Sequence, residues 1–183
     1  MKFFAGCFAF ASAFACAQGQ QLTSCGAPSD GPVLNGIDIV ATYNLAKSAQ
    51  AGSTPPVAGT SEYSYTDSEG FEFHFANANN QALFKANPKN YPVGAGGYCG
   101  LAVSGNDPMC SGVCQGPACL TSDSTYEMAN GKLFFFLGDG AMRIFNSNNA
   151  TASALDCDAN IAKVESSTGS TCWNTNKFMC HNH

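Results

Sequence analysis

Glu62-Tyr63-Ser64-Tyr65-Thr66-Asp67-Ser68-Glu69-Gly70-Phe71-Glu72-Phe73-His74-Phe75 is the stretch that decides the fold. Alternating runs flank Asp67 to Gly70, a cluster of turn-forming residues, and that pattern describes a β-hairpin. Side chains alternate along a strand, so Phe71, Phe73 and Phe75 share one face, which should be core. Glu72 and His74 share the other. A register symmetric about Ser68-Glu69 places Tyr65 opposite Glu72 and Tyr63 opposite His74. Immediately beyond, Asn77 is a good helix N-cap, Gln81 to Ala86 favours helix, and Pro88 ends it at Asn87. Leu83 and Phe84 are expected to pack on the phenylalanine face.

Working outward, Tyr126 to Ala129 and Lys132 to Leu137 flank Asn130-Gly131, a dipeptide suited to a type I′ turn, and give a second hairpin. Phe134, Phe135 and Phe136 in succession suggest a strand covered on both faces. Residues 139–146 suit a short closing helix, with Met142 and either Phe145 or Ile144 facing inward. On the other side, Gly36 to Val40 reads as a short strand, and residues 49–60, rich in Gly, Pro, Ser and Thr, as a loop. Gly94-Ala95-Gly96-Gly97 is a place where the backbone turns tightly or approaches another segment closely. The fold class expected is α+β: a small antiparallel sheet of two hairpins packed with one main helix, with disulfide-stapled loops and tail.

The two ends carry other information. Lys2, the apolar run Phe3 to Phe14 and Ala15-Cys16-Ala17 have the form of a secretory signal peptide over residues 1–17. The run falls short of the about 20 apolar residues that a membrane-spanning helix needs, and no later run is long enough, so no transmembrane segment is expected. Residues 18–34 form a polar lead-in, 35–147 the folded domain with a Cys-rich insertion at 104–124, and 148–183 a Cys-containing tail low in hydrophobic residues. The expected location is secreted and extracellular.

Outside the leader stand Cys25, Cys99, Cys110, Cys114, Cys119, Cys157, Cys172 and Cys180. An even number in an oxidising compartment points to disulfides, with the pairing left open. The spacing of Cys110, Cys114 and Cys119 departs from the two-residue knuckle of common zinc modules. With every cysteine paired, no thiol is spare for a cysteine–histidine nucleophile. The chain has no glycine-rich phosphate loop leading into a helix, and its carboxylates show no spacing that sets an acid–base pair apart, so it is read as a non-enzyme. A formal charge of −5, with Arg143 the sole arginine and no basic run, leaves no electrostatic footprint for nucleic acid.

The order of these pieces resembles a secreted YHS-domain protein, from Asn35-Gly36-Ile37-Asp38-Ile39-Val40-Ala41-Thr42-Tyr43 to Phe145. The strongest likeness is Phe73-His74-Phe75 followed by the helix and the ending Phe84-Lys85-Ala86-Asn87-Pro88-Lys89-Asn90-Tyr91. Gly96-Gly97-Tyr98-Cys99 and Asn130-Gly131-Lys132-Leu133-Phe134-Phe135 resemble later motifs of that family. The resemblance implies a small α+β fold and, in some members, a metal held by two cysteines four residues apart at the helix start. Ala76 and Asn80 stand at those positions here, so that cysteine site does not carry over.

Histidine offers another route to a metal. Glu72 and His74 lie on one side of a strand, and the terminal Cys180-His181-Asn182-His183 places two imidazoles one residue apart. His74, Glu72, His181 and His183 together could serve copper or zinc, both of which imidazole suits. The plainer alternative is a strand histidine bonded to its neighbours and a polar terminus. Asn149-Ala150-Thr151 is an N-glycosylation sequon, with Asn149 as the acceptor. The function expected is a secreted, disulfide-rich YHS-type binding module taking copper through histidines. The alternative is a non-catalytic extracellular structural or interaction protein without a metal. The partner is an extracellular ligand or protein of unstated identity.

Overall fold

The computed structural model describes residues 21–48, 54–116, 118, 120 and 125–175. The chain is α+β, with two separate two-stranded antiparallel sheets and helices packed around them. The first hairpin pairs β1 (Thr60–Thr66) with β2 (Glu72–Phe75), and the second pairs β3 (Tyr126–Ala129) with β4 (Lys132–Phe135). The helices are α1 (Ile39–Lys47), α2 (Ala78–Ala86), α3 (Gly100–Ser104), α4 (Asp139–Ser147) and α5 (Ala150–Thr168).

Several elements form for the reasons their residues suggest. Asn77 caps α2 by accepting a hydrogen bond from the Asn80 amide at 2.9 Å, and the helix stops before Pro88. Asn130 and Gly131 both have positive φ, 47° and 76°, as a type I′ turn requires, and Ala129 then pairs directly with Lys132. In β4 and just past it, Leu133 and Phe135 enter one apolar cluster while Phe134 and Phe136 enter the other. All are fully buried, so this short strand is the partition between the halves of the core.

The first hairpin corrects the expected register. Thr66 pairs with Glu72, Tyr65 with Phe73 and Ser64 with His74. The Asp67 carboxylate accepts hydrogen bonds from the amides of Glu69 and Phe71, both at 2.9 Å, which widens the turn by one residue. Tyr65 is thereby moved to the core face, stacked on Phe73 with ring centroids 6.4 Å apart. Phe84 of α2 completes this aromatic cluster at 5.0 Å from Phe73 and 5.3 Å from Phe75. Leu83, one position earlier on the helix, points about 100° away and is exposed rather than packed. On α4, Phe145 is the inward residue and Ile144 the exposed one.

Two further expectations change. The stretch expected to be a strand at 36–40 instead leads into α1, because Asp38 caps that helix through a 2.9 Å hydrogen bond from the Ala41 amide. The stretch expected only as a Cys-containing tail low in hydrophobic residues contains α5, a helix of 19 residues. Its buried positions are Ser153, Ala154, Cys157 and Val164, so its inner face is mostly small side chains, and it lies closely against α3. The polar lead-in likewise supplies Leu22, Val33 and Leu34 to the core. The leader, residues 1–17, lies outside the described residues.

Candidate functional site

Residues 171–175 run between α5, the first hairpin and the 93–97 segment, and hydrogen bonds hold almost every step. The Thr171 amide and hydroxyl donate to the two Glu69 carboxylate oxygens at 2.8 and 2.6 Å. These bonds hold the Glu69 carboxyl below the usual glutamate range. The Cys172 amide donates to Glu165 Oε1 at 2.9 Å, and Cys172 is disulfide-bonded to Cys25. The Trp173 carbonyl accepts from the Gly26 amide at 2.9 Å and from the Tyr98 hydroxyl at 3.2 Å. The Asn174 amide donates to the Gly96 carbonyl at 2.7 Å, and its carbonyl accepts from the Leu34 amide at 2.9 Å. Gly96 has φ of 59°, and a Cβ there would overlap the Cys172 carbonyl oxygen. The glycine-rich turn is therefore a site of close backbone approach.

The result is a fixed pedestal for Trp173, the only tryptophan of the chain. Its ring meets Phe73 in a T-shaped contact, centroids 5.4 Å apart. The side chain is half-buried and lines hollows on two sides. One is a cleft of about 230 Å³ whose opposite wall is α5. Its polar groups are Lys132, Asp158, Glu165 and Thr171. Lys132 and Asp158 form a half-buried ion pair at 2.7 Å. The other hollow is apolar, bounded by Phe84, Pro88, Tyr91 and Pro92, with Lys89 at its rim. An indole set between such hollows offers apolar surface beside groups that donate and accept hydrogen bonds.

The metal candidates from the sequence are placed as follows. His74 is mostly buried, and its Nε2 lies 3.0 Å from Glu72 Oε1. Its Nδ1 faces Gly36, where a Cβ would come within 2.8 Å. The strand thus does bring Glu72 and His74 together. His181 and His183 lie outside the described residues. Among the described residues no group of three or more His, Cys, Asp or Glu side chains is gathered as a metal site. At the helix start, the Ala76 amide and the Asn80 side-chain nitrogen both donate to Asp38 Oδ2, at 2.8 and 2.7 Å.

Of the cysteines, Cys25–Cys172 and Cys110–Cys114 are disulfide-bonded. Cys99 and Cys157 stand outside those two bonds, both buried. Burial pushes both thiols up, so neither is a thiolate at neutral pH. Cys119 and Cys180 lie outside the described residues. Asn149 is exposed and caps α5, its side-chain oxygen accepting from the Ala152 amide at 3.3 Å. Among the described residues no helix is long and apolar enough to cross a membrane.

The Trp173 cleft was not singled out from the sequence. The available signal was a lone tryptophan directly after a cysteine, in a tail otherwise poor in large apolar side chains. Compared with protein-family models, curated proteins and solved structures, the chain has no match.

Proposed function

We propose that this protein is a secreted, non-catalytic binding module whose ligand is a saccharide ring seated in the cleft beside Trp173. The observation that carries the proposal is the indole itself, the chain's only one, fixed through its backbone and left half-exposed over a cleft of about 230 Å³. A sugar ring has an apolar C–H face that suits an aromatic plane, and a rim of hydroxyls that suits groups able to donate or accept. Asp158 and Glu165 supply acceptors and the Lys132 ammonium supplies donors, each beyond its one bond within the fold. Charges of both signs favour a neutral polar ligand, and the acidic balance of the chain disfavours an anionic one. The disulfides fit an oxidising exterior. The YHS resemblance is compatible with a binding role. Cys99 and Cys157 are buried and His74 is held by Glu72, which gives no support to cysteine–histidine catalysis. The test is binding of the secreted protein to an array of immobilised glycans, beside the variant Trp173→Ala. Binding lost in the variant supports the proposal, and an array without signal for the parent protein contradicts it.

A second reading rests on the Glu72–His74 pair. Its carboxylate oxygen and imidazole nitrogen, 3.0 Å apart, converge well enough to hold one copper or zinc ion if His181 and His183 complete the set. Metal content by mass spectrometry of untagged protein decides it. Stoichiometric metal lost in His74→Ala supports this reading, and no metal after exposure to copper and zinc removes it. Glycosylation at Asn149 is a further proposal consistent with its exposure, read out as a mass loss on enzymatic deglycosylation.

A further inference from the structure

Cys99 and Cys157 come near one another where α5 meets the start of α3. The Cys157 Sγ donates to the carbonyl of Gly100, the residue next to Cys99, at 3.2 Å. The Cys99 Sγ accepts from the Leu137 amide at 3.4 Å. Both side chains are essentially without solvent exposure and belong to the same apolar cluster, where α3 packs on α5. The other described cysteines are committed elsewhere, to Cys25–Cys172 and Cys110–Cys114. Cys157 sits on the inner face of α5 with Ser153, Ala154 and Val164, and among the described cysteines Cys99 is the one thiol left to partner it.

We propose that Cys99 and Cys157 are a disulfide site, and that in the secreted protein they join as a cystine fastening α5 to the start of α3. Two S–H bonds break and one S–S bond forms. The two protons and two electrons pass to an oxidised carrier of the thiol–disulfide class, a disulfide catalyst or oxidised glutathione, whose own S–S bond breaks to give two thiols. The exchange needs a thiolate and access for the carrier, and the folded core supplies neither. The bond therefore forms before α5 docks, while the chain is still open. Asp158 follows Cys157 directly, so the link also anchors the helix wall that faces Trp173.

The competing partner for Cys99 is Cys119. The Cys99 amide donates at 3.0 Å to the carbonyl of Gly116, three positions before Cys119 in sequence. The experiment must separate these pairings. The full chain is expressed through an oxidising secretory route, denatured without reductant in excess alkylating reagent, digested, and mapped by mass spectrometry. The expected result is a linked peptide pair containing Cys99 and Cys157, with neither residue alkylated. In Cys157→Ser the expected result is one newly alkylated thiol, at Cys99. Alkylation of both residues in the parent protein, or a Cys99–Cys119 linked pair, overturns the proposal. Should Cys157→Ser fail to be secreted, the parent map alone decides.

Discussion

Asp38 and Asn80 meet at 2.7 Å, where the Asn80 side-chain nitrogen donates to the Asp38 carboxylate. That carboxylate is fully buried, and among the described residues none of the ion pairs involves it. Three N–H donors satisfy it instead: the Ala41 amide, the Ala76 amide and Asn80. One aspartate thus joins the start of α1, the end of β2 and the first turn of α2. Hydrogen bonds to a charged group contribute about 1.5–3 kcal/mol each, so Asn80→Ala should lower unfolding stability by about 2 kcal/mol. Denaturant titration at neutral pH measures it. A loss below about 0.5 kcal/mol, the usual range for a neutral surface change, would show that the bond carries little.

Gly96 tests the pedestal under Trp173. A methyl group there meets the Cys172 carbonyl oxygen, in a backbone conformation that a side chain disfavours. Gly96→Ala is expected to cost about 1–3 kcal/mol and to weaken ligand binding together with stability. Thermal melts and binding assays on the same sample check both. Unchanged stability would mean that the 171–175 segment does not sit on this turn.

Glu127 should destabilise the protein at neutral pH. Its Oε1 is buried without a hydrogen-bond partner, while Oε2 accepts from Asn146 at 2.9 Å. Burial raises its carboxyl above the ordinary value, and the Asn146 bond offsets only part of that. Between the unfolded and the raised folded value the native state binds more protons, so this residue's cost fades as pH falls through that window. Glu127→Gln should melt higher than the parent at pH 7, and the two should converge below about pH 4, near the ordinary glutamate value. A difference independent of pH would contradict this account.

Glu69 works in the opposite sense. Its depressed carboxyl ties β-hairpin and tail together through Thr171, so the tie is present above the ordinary glutamate range and is lost as pH falls through the folded value. Hydrogen exchange at the Thr171 amide, corrected for intrinsic rates, should be faster in Glu69→Gln than in the parent at pH 7. The two should match at acid pH. Equal protection at pH 7 would show that the carboxylate does not hold the tail.

How much of this was legible depends on whether each feature is local. The N-cap at Asn77, the stop at Pro88, the Asn130-Gly131 turn and the two-sided Phe134-Phe135-Phe136 strand are set by short stretches, and their readings agree with the structure. Helix α1 was misread because Ile39 and Val40 are β-branched and favour strands, while the cap at Asp38 outweighs them. Helix α5 was missed because its buried face is Ser153, Ala154 and Cys157, which leave no apolar stripe to detect. The hairpin register turned on one side chain, Asp67, whose two hydrogen bonds add a residue to the turn. The Trp173 cleft draws on residues near 95, 132, 158–165 and 171–173. No local motif marks a wall built from four separate segments.

The sole tryptophan makes the central claim directly measurable, because intrinsic tryptophan fluorescence reports on Trp173 and nothing else. Soluble oligosaccharides built from glucose, mannose and N-acetylglucosamine would be titrated into the secreted protein while emission is recorded. The account expects a saturable shift in wavelength or intensity with at least one of them, accompanied by protection from a neutral quencher. Emission and quenching unchanged across the whole series, in protein shown to be folded, would contradict a saccharide site at Trp173.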